Sequence, residues 1–247
     1  MIKDGVNIQG SDIHSFLMIG QSNMAGRGEI SEVPPIDNYR CYMFRMGRFQ
    51  RMREPLNVDR AVFGTGTVSG ISLGASFADC FSRFYSARVG MIPCADGGTP
   101  LESWLPGTVL YDHAVFMAKL AMRSSSFSGI LWHHGESDCT DDESVRTYKP
   151  RFINMITSMR RDLNAQNLPL IIGELSENLG GDYDFGKRPT ELNKIFREIA
   201  EELPYCAVVS AKGLSLKSDF LHFNSQSLRE FGKRYFEAYT ALRTIAD

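Results

Sequence analysis

Short apolar runs alternate with longer amphipathic stretches along most of the chain. Five runs are rich in aliphatic residues and predict buried strands: Phe16–Ile19, Val89–Pro93, Gly129–Trp132, Leu170–Gly173 and Cys206–Ser210. Between and after them, apolar residues recur at three- and four-residue steps, which predicts helices over 73–85, 115–122, 143–163, 190–203 and 225–246. Thr190, after Pro189, is the expected N-cap of the fourth helix. The alternation predicts an α/β fold, with a five-stranded parallel sheet covered by helices on both faces.

Residues 40–60 depart from this alternation. Arg45, Arg48, Arg51 and Arg53 occur singly among methionines and phenylalanines, and acidic residues follow them. This spacing favours a solvated hairpin inserted after the first unit over a basic groove interleaved with aromatics. The chain shows no internal repeat, low-complexity tract or linker, so we expect residues 1–247 to form one domain.

Composition narrows the class of protein. Of 247 residues, 43% are hydrophobic and 23% charged, and 27 Lys+Arg against 29 Asp+Glu give a net charge of −2, which disfavours a dedicated nucleic-acid binder. No apolar window is long enough for a membrane span. The first fifteen residues contain no signal-peptide core, so we expect a cytoplasmic protein, or a secreted or periplasmic one if a signal was trimmed. Five scattered cysteines without a C-x-x-C pair favour reduced thiols over disulfides or a zinc site.

The first candidate for chemistry is a serine. The carboxyl ends of parallel strands meet at one edge of a sheet, where reactive groups gather. Directly after the first predicted strand, the run Gly20-Gln21-Ser22-Asn23-Met24 places Ser22 at a tight turn into a helix, where its hydroxyl can point into that crevice. The alternative is that Ser22 only caps the helix. Met24 stands where the G-x-S-x-G elbow needs its second glycine, so this is not the α/β-hydrolase motif.

A glycine pair follows the second predicted strand. In Cys94-Ala-Asp96-Gly97-Gly98-Thr99, the two glycines would let the backbone approach a ligand and expose N–H groups, or they form a plain turn. By contrast, Gly64–Gly70 lacks both the dinucleotide fingerprint and the phosphate-loop ending, and it predicts a loop before a helix. No cofactor is therefore expected.

A histidine with a nearby acid follows the last predicted strand. The three-residue separation of Asp219 and His222 lets the carboxylate reach the Nδ1–H of the imidazole, which leaves Nε2 to take a proton from a hydroxyl. The pair is weak evidence alone. Together with Ser22 and the glycine pair it predicts a nucleophile, its base, an orienting acid and oxyanion donors in one crevice.

The run His133-His134-Gly135-Glu136-Ser137-Asp138 follows the third predicted strand and suggests a metal site at first sight. Adjacent residues on a strand point to opposite faces, which makes a site shared by His133 and His134 awkward. We therefore expect no metal, and a metal-dependent hydrolase remains the alternative.

Four motifs together resemble a known family. GQSNMAGRG at 20–28, PCADGGTPLESWLPG at 93–107, ILWHHGESD at 130–138 and DFLHFN at 219–224 resemble the SGNH hydrolases. More narrowly, they resemble the sialate O-acetylesterase and acetyl xylan esterase branch, carbohydrate esterase family six. The resemblance implies a three-layer α/β/α, flavodoxin-like fold and a metal-independent serine esterase without a cofactor. It also implies glycan or small-molecule partners that carry O-acetyl esters, whereas the expectation of no nucleic-acid or membrane partner comes from the net charge and the apolar windows.

The resemblance also assigns roles. It makes Ser22 the nucleophile, His222 the general base and Asp219 its partner, with Glu136 as an alternative acid. The oxyanion donors would be the backbone N–H groups of Ser22 and Gly98 and the side chain of His134, which replaces the usual glutamine of the family. Trp104 would line the acyl pocket, stack on a sugar or lie in the core. The competing interpretations are a general short-chain esterase or lipase and a silent carbohydrate-binding relative.

Overall fold

The computed structural model describes residues 13–57 and 68–246, and a short antiparallel ribbon of β1 (Ile2–Lys3) and β2 (Val6–Asn7). The further strands are β3 (Ile13–Gly20), β4 (Cys41–Arg45), β5 (Arg48–Arg51), β6 (Arg88–Pro93), β7 (Ser126–His133), β8 (Leu170–Gly173) and β9 (Cys206–Val209). The helices are α1 (Ser22–Ala25), α2 (Leu73–Tyr85), α3 (Val109–Met122), α4 (Asp142–Arg146), α5 (Tyr148–Asp162), α6 (Arg188–Glu202) and α7 (Ser225–Ala246).

The main sheet has the order β5-β4-β6-β3-β7-β8-β9, and all its pairings are parallel except that of β5 with β4. The α/β class is confirmed and all five predicted strands are present. The expected count of five strands was wrong, because the described part of the chain adds β4 and β5 at one edge. β3 lies between β6 and β7, so the strand order reverses there and opens a crevice beyond the ends of these strands.

Two apolar layers enclose the sheet, and alternation along β3 separates them. Phe16 and Met18 belong to the cluster that α2 and α7 cover, whereas Leu17 and Ile19 belong to the cluster covered by α3, α5 and α6. Phe16 makes edge-on contacts with Phe77 of α2, with ring centroids 4.8 Å apart, and with Tyr239 of α7 at 5.1 Å. This is the three-layer α/β/α arrangement.

The segment with the arginines forms the predicted hairpin, but it is not a solvated insertion. Its first strand, β4, pairs with β6 in the main sheet and buries Cys41, Met43 and Phe44. Arg45 turns back to donate to the carbonyl oxygen of Pro55 at 3.2 Å, and Arg51 pairs with exposed Asp37. These arginines therefore border a sheet edge rather than a basic groove.

The helices α2 and α7 have the predicted bounds, and the others differ in detail. The stretch 143–163 breaks at Thr147 into α4 and α5, and α3 begins earlier than expected, at Val109. Lys187, not Thr190, occupies the N-cap position of α6, because Pro189 fits inside a first turn, where its missing N–H is not needed. Part of the predicted glycine-rich loop, residues 64–67, lies outside the described residues. In the described ranges no helix combines the length and hydropathy that a membrane crossing needs.

Candidate active site

Ser22 lies at a sharp turn that only glycine permits. Gly20, the last residue of β3, has φ +129°, and a Cβ there would come within 2.0 Å of the carbonyl oxygen of His133. The next residue, Gln21, occupies the N-cap position of α1 and donates its backbone N–H to that carbonyl at 3.0 Å. Ser22 is therefore the first residue of α1 rather than its cap, and the turn holds it at the end of the sheet.

The structure brings Ser22, His222 and Asp219 into one hydrogen-bonded chain. Nε2 of His222 lies 3.0 Å from Oγ of Ser22, and Nδ1 of His222 lies 2.8 Å from Oδ2 of Asp219. Since an ionised carboxylate can only accept, Nδ1 carries the proton and Nε2 is left to accept the hydroxyl proton of Ser22. Ser22, which is 200 positions from His222 in sequence, is thus linked through that imidazole to Asp219 in the geometry that a nucleophile, its base and an orienting acid would need.

Asp219 is fixed by more than the imidazole. Its other oxygen, Oδ1, accepts the backbone N–H groups of Leu221 and His222, each at 2.9 Å. Partial burial acts to raise the pKa of Asp219, but the hydrogen bonds from the backbone and ring of His222 and from Leu221 outweigh it, so the pKa lies below its ordinary value. Asp219 is consequently a carboxylate at neutral pH.

The loop that carries Asp219 and His222 is bent at Phe220, which adopts a left-handed φ of +53°. This conformation is uncommon for a bulky residue and must be held by the surroundings. The loop is closed by the N–H of Lys217, which donates to the carbonyl of His222 at 2.7 Å, and by the N–H of Gly180, which donates to the carbonyl of Phe220 at 3.0 Å. The bend places the carboxylate of Asp219 beside the ring of His222.

The glycine pair also reaches Ser22. The backbone N–H of Asp96 donates to the carbonyl of Gly20 at 2.9 Å, and a Cβ on Gly97 would lie 3.5 Å from the Cβ of Ser22. Gly98 follows with φ +75°, a conformation that favours glycine. The segment predicted to supply an oxyanion donor therefore lies next to the serine.

His134 is not available as an oxyanion donor, and that prediction was wrong. Its ring is fully buried, with Nε2 at 2.8 Å from the carbonyl of Thr99 and Nδ1 at 3.1 Å from the hydroxyl of Tyr148. A carbonyl only accepts, so Nε2 carries the proton. Burial lowers the pKa of His134 against the opposing effect of Asp138, which favours the neutral ring. Its one N–H is thus already used by Thr99.

The buried carboxylate of Glu136 contacts Asn23 and His133. It is 2% exposed, and its Oε1 is 2.5 Å from Nδ2 of Asn23 and 3.5 Å from Nε2 of His133. Burial acts to raise the pKa of Glu136, but the contacts with His133 and Asn23 lower it more, so the net shift is downward. The carboxylate that contacts the imidazole of His222 is that of Asp219, and the role of Glu136 as the alternative acid stays a prediction.

The rings of His133 and His134 lie on opposite faces of the sheet, as adjacent strand residues should. The ring of His133 packs against Phe223 and Phe231 on the α7 side, and that of His134 against Tyr148 on the α5 side. These two rings cannot bind one ion together. In the described ranges, no three His, Cys, Asp or Glu side chains are grouped as metal ligands would be.

Trp104 belongs to the core. It is fully buried, packs edge-on against Trp132 with ring centroids 5.7 Å apart, and donates its indole N–H to the hydroxyl of Thr99 at 3.0 Å. It is therefore neither a wall of the crevice nor a stacking face for a sugar.

Two residues beside Ser22 were missed as functional candidates. The side-chain oxygen of Gln21 accepts the backbone N–H of Gly135 at 3.2 Å, which ties the serine turn to the loop after β7. Asn23 contacts both Glu136 and the His222 loop. The signal was present in the sequence, since both flank Ser22 in the motif GQSNMAGRG.

The lowered pKa of Glu136 predicts that the fold loses stability in acid. Because its pKa in the folded protein is below the ordinary 4.5, its contribution to stability is complete above that value and is lost as the pH falls toward the folded pKa. We expect the free energy of unfolding of the wild type to decrease relative to that of Glu136→Gln below about pH 4.5. Urea unfolding at several pH values between 7 and 3 measures this, with the exposed Glu143→Gln as control. A pH-independent difference would contradict it.

Known proteins share this arrangement of elements. Residues 12–241 match the family model described as carbohydrate esterase, sialic acid-specific acetylesterase. A probable carbohydrate esterase of Arabidopsis thaliana is 31% identical over 243 residues, covering 91% of this chain and 89% of the relative. The X-ray structure of the protein from that locus is 28% identical with a TM-score of 0.82, covering 94% of this chain and 98% of that one.

A second structure shows the same fold at lower identity. The crystal structure of NanS superposes with a TM-score of 0.77 at 15% identity and covers 97% of this chain and 100% of its own. The family match spans nearly the whole chain, including all the motifs at the ends of the strands. From this match we conclude that the protein is a carboxylic ester hydrolase with an SGNH-type fold and belongs to the sialic acid-specific acetylesterase family of carbohydrate esterases.

Proposed function

We propose that this protein removes O-acetyl groups from carbohydrates by a serine esterase mechanism that uses Ser22, His222 and Asp219. The observation that carries the proposal is the hydrogen-bond chain from the serine hydroxyl through the imidazole to the carboxylate, at 3.0 and 2.8 Å. Such a chain gives a weakly nucleophilic hydroxyl the base that it needs.

In the first step, the hydroxyl oxygen of Ser22 attacks the carbonyl carbon of the acetyl ester while Nε2 of His222 takes the hydroxyl proton. Asp219 stays ionised and stabilises the imidazolium that forms. The negative charge that develops on the carbonyl oxygen is to be met by the backbone N–H groups of Ser22 and Gly98. A fixed donor of this kind is worth roughly 3 kcal/mol in the transition state.

In the second step, His222 returns the proton to the departing sugar oxygen, which leaves as a hydroxyl group, and acetyl-Ser22 remains. A water molecule then loses a proton to His222 and attacks the acetyl carbon, and the proton returns to Ser22 as acetate leaves. Each proton that His222 accepts is therefore given back within the same half-reaction, and no cofactor takes part.

The family match supports the choice of substrate class. The family description names sialic acid, and the Arabidopsis relative is named a probable carbohydrate esterase. We therefore propose an acetylated glycan of the sialate or acetyl-xylan type. A general short-chain carboxylesterase of the same fold is the competing function, and it differs in accepting longer acyl chains equally well.

Acetate release from a panel of O-acetylated glycans tests this proposal, with sialic acid and xylo-oligosaccharide esters in the panel and the Ser22→Ala protein as blank. We expect kcat/KM for at least one glycan to exceed that for p-nitrophenyl acetate. A series of nitrophenyl esters from acetate to octanoate should show the rate falling as the chain lengthens. Equal rates along that series, with no release from any glycan, would favour the general esterase.

A further inference from the structure

A single side chain holds the backbone on both sides of His222. Oδ1 of Asn23 accepts the N–H of Phe223 at 3.0 Å, and Nδ2 of Asn23 donates to the carbonyl of Leu221 at 3.2 Å. These groups belong to the two peptide units that flank His222. Asn23 is 1% exposed and is the neighbour of Ser22 on α1. The short helix that carries the nucleophile therefore also fixes the segment that carries the base.

The carboxylate of Glu136 determines which way the amide of Asn23 points. An ionised carboxylate has no proton to donate, so it can bond only to the amide nitrogen, and it does so at 2.5 Å. The amide oxygen must then face the N–H of Phe223. The opposite orientation would set the amide oxygen against the carboxylate and the amide N–H₂ against the N–H of Phe223, and both contacts are repulsive.

Glu136 also lies near buried polar side chains of β7 and α7. Nε2 of His133 lies 3.5 Å from its Oε1, and Nδ1 of His133 lies 3.4 Å from the hydroxyl of Tyr235. That hydroxyl donates to the carbonyl of Trp132 at 2.8 Å, so its oxygen is free to accept from His133. The contacts thus run from β7 and α7, through Glu136 and Asn23, to the loop of His222.

We propose that Asn23, oriented by Glu136, is a positioning residue that holds the imidazole of His222 in line with Ser22. This inference rests on the proposed serine mechanism. It gives Glu136 a role that is neither that of a general acid nor that of a partner to His222: Glu136 acts through Asn23, and what it must supply is a hydrogen-bond acceptor.

The variant Glu136→Gln distinguishes a requirement for a hydrogen-bond acceptor at this position from a requirement for a negative charge. In Glu136→Gln, the amide oxygen can still accept from Asn23, so the clamp persists. In Glu136→Ala no acceptor remains, and in Asn23→Ala the clamp itself is removed. A displacement of about 1 Å between reacting groups can cost on the order of 10²-fold in rate.

The experiment compares kcat and KM for p-nitrophenyl acetate among the wild type, Asn23→Ala, Glu136→Ala, Glu136→Gln and the double variant Asn23→Ala/Glu136→Ala. We expect kcat to fall about 10- to 100-fold in both alanine variants with KM nearly unchanged, and Glu136→Gln to recover kcat to within about fivefold of the wild type. The double variant should be no slower than the slower single one, because both act through one contact. The exposed Asn154→Ala is the matched control.

Circular dichroism establishes that each variant is folded, and Asn23→Ser replaces Asn23→Ala if the latter does not fold. A kcat within twofold of the wild type in the folded Asn23 variant would overturn the inference. So would a Glu136→Gln protein as slow as Glu136→Ala, since the charge itself would then be needed. Ser22→Ala, measured alongside, separates the two proposals: activity that survives in it refutes the serine mechanism, whereas its loss with an active Asn23→Ala refutes only the clamp.

Discussion

Replacing Ser22 by alanine is expected to lower kcat for p-nitrophenyl acetate by about 10⁴- to 10⁶-fold while the protein stays folded. The hydroxyl lies 3.0 Å from Nε2 of His222, and without it no acyl-enzyme can form. The remaining rate would come only from binding and the oxyanion donors. Steady-state kinetics measures the loss, and a burst of nitrophenol seen with the wild type should be absent from the variant.

A neighbouring serine provides the control. Ser218 is exposed and precedes Asp219 in the same loop, so Ser218→Ala should keep a rate close to that of the wild type. Survival of more than roughly a tenth of the wild-type rate in the folded Ser22→Ala protein would remove Ser22 as the nucleophile. The loss of activity from both variants together would instead indicate damage to the loop.

The sequence predicts most of the sheet because strands that are buried on both faces consist of continuous apolar residues. Strands such as Phe16–Ile19 and Leu170–Gly173 are continuous apolar runs, which is what a central parallel strand requires. The strand β4 has no such continuous apolar run. It lies near the edge of the sheet and its buried side chains, Cys41, Met43 and Phe44, alternate irregularly with polar ones. Its place beside β6 is decided by packing that no local pattern encodes.

The same distinction applies to the candidate site. The sequence could predict that Ser22, His222 and Asp219 lie close together, because each follows a recognisable strand and the carboxyl ends of parallel strands lie at one edge of the sheet. The hydrogen-bond partners of His134 and Glu136 could not be predicted. The direction of the His134 ring depends on where Tyr148 and residues 99–104 pack. Tyr148 and Thr99 are 14 and 35 residues from His134 in sequence, so no local pattern predicts these contacts.

The position of Asn23 shows why a motif holds more information than its reactive residue. Ser22 draws attention because it has a nucleophilic group, whereas an asparagine one position later has no chemistry of its own. Its hydrogen bonds to the peptide groups around His222 arise only after about 200 residues of chain have returned to the same crevice. The structure shows these long-range partners. The sequence shows only that Asn23 is a polar residue within a turn that is expected to be buried.

Replacing Asp219 by asparagine is expected to lower kcat by about 10³- to 10⁴-fold with little change in stability. Oδ1 of Asp219 accepts two backbone N–H groups, and an asparagine keeps those bonds only by leaving its oxygen there. Its N–H₂ group must then face Nδ1 of His222, 2.8 Å away in the wild type, and Nδ1 must become the acceptor. The proton moves to Nε2, where it prevents the ring from accepting the hydroxyl proton of Ser22.

Steady-state kinetics at pH 7 and 8 tests this, because the pKa of Asp219 lies below its ordinary value and the wild-type carboxylate is ionised at both pH values. The exposed Asp37→Asn, which also exchanges one carboxylate for an amide, should behave as the wild type.

The comparison with Glu136→Gln decides which carboxylate supports His222 in the reaction. If that variant loses far more activity than Asp219→Asn, then Glu136 supports His222 in the reaction, and the contact seen between Asp219 and the imidazole is not the one used in catalysis.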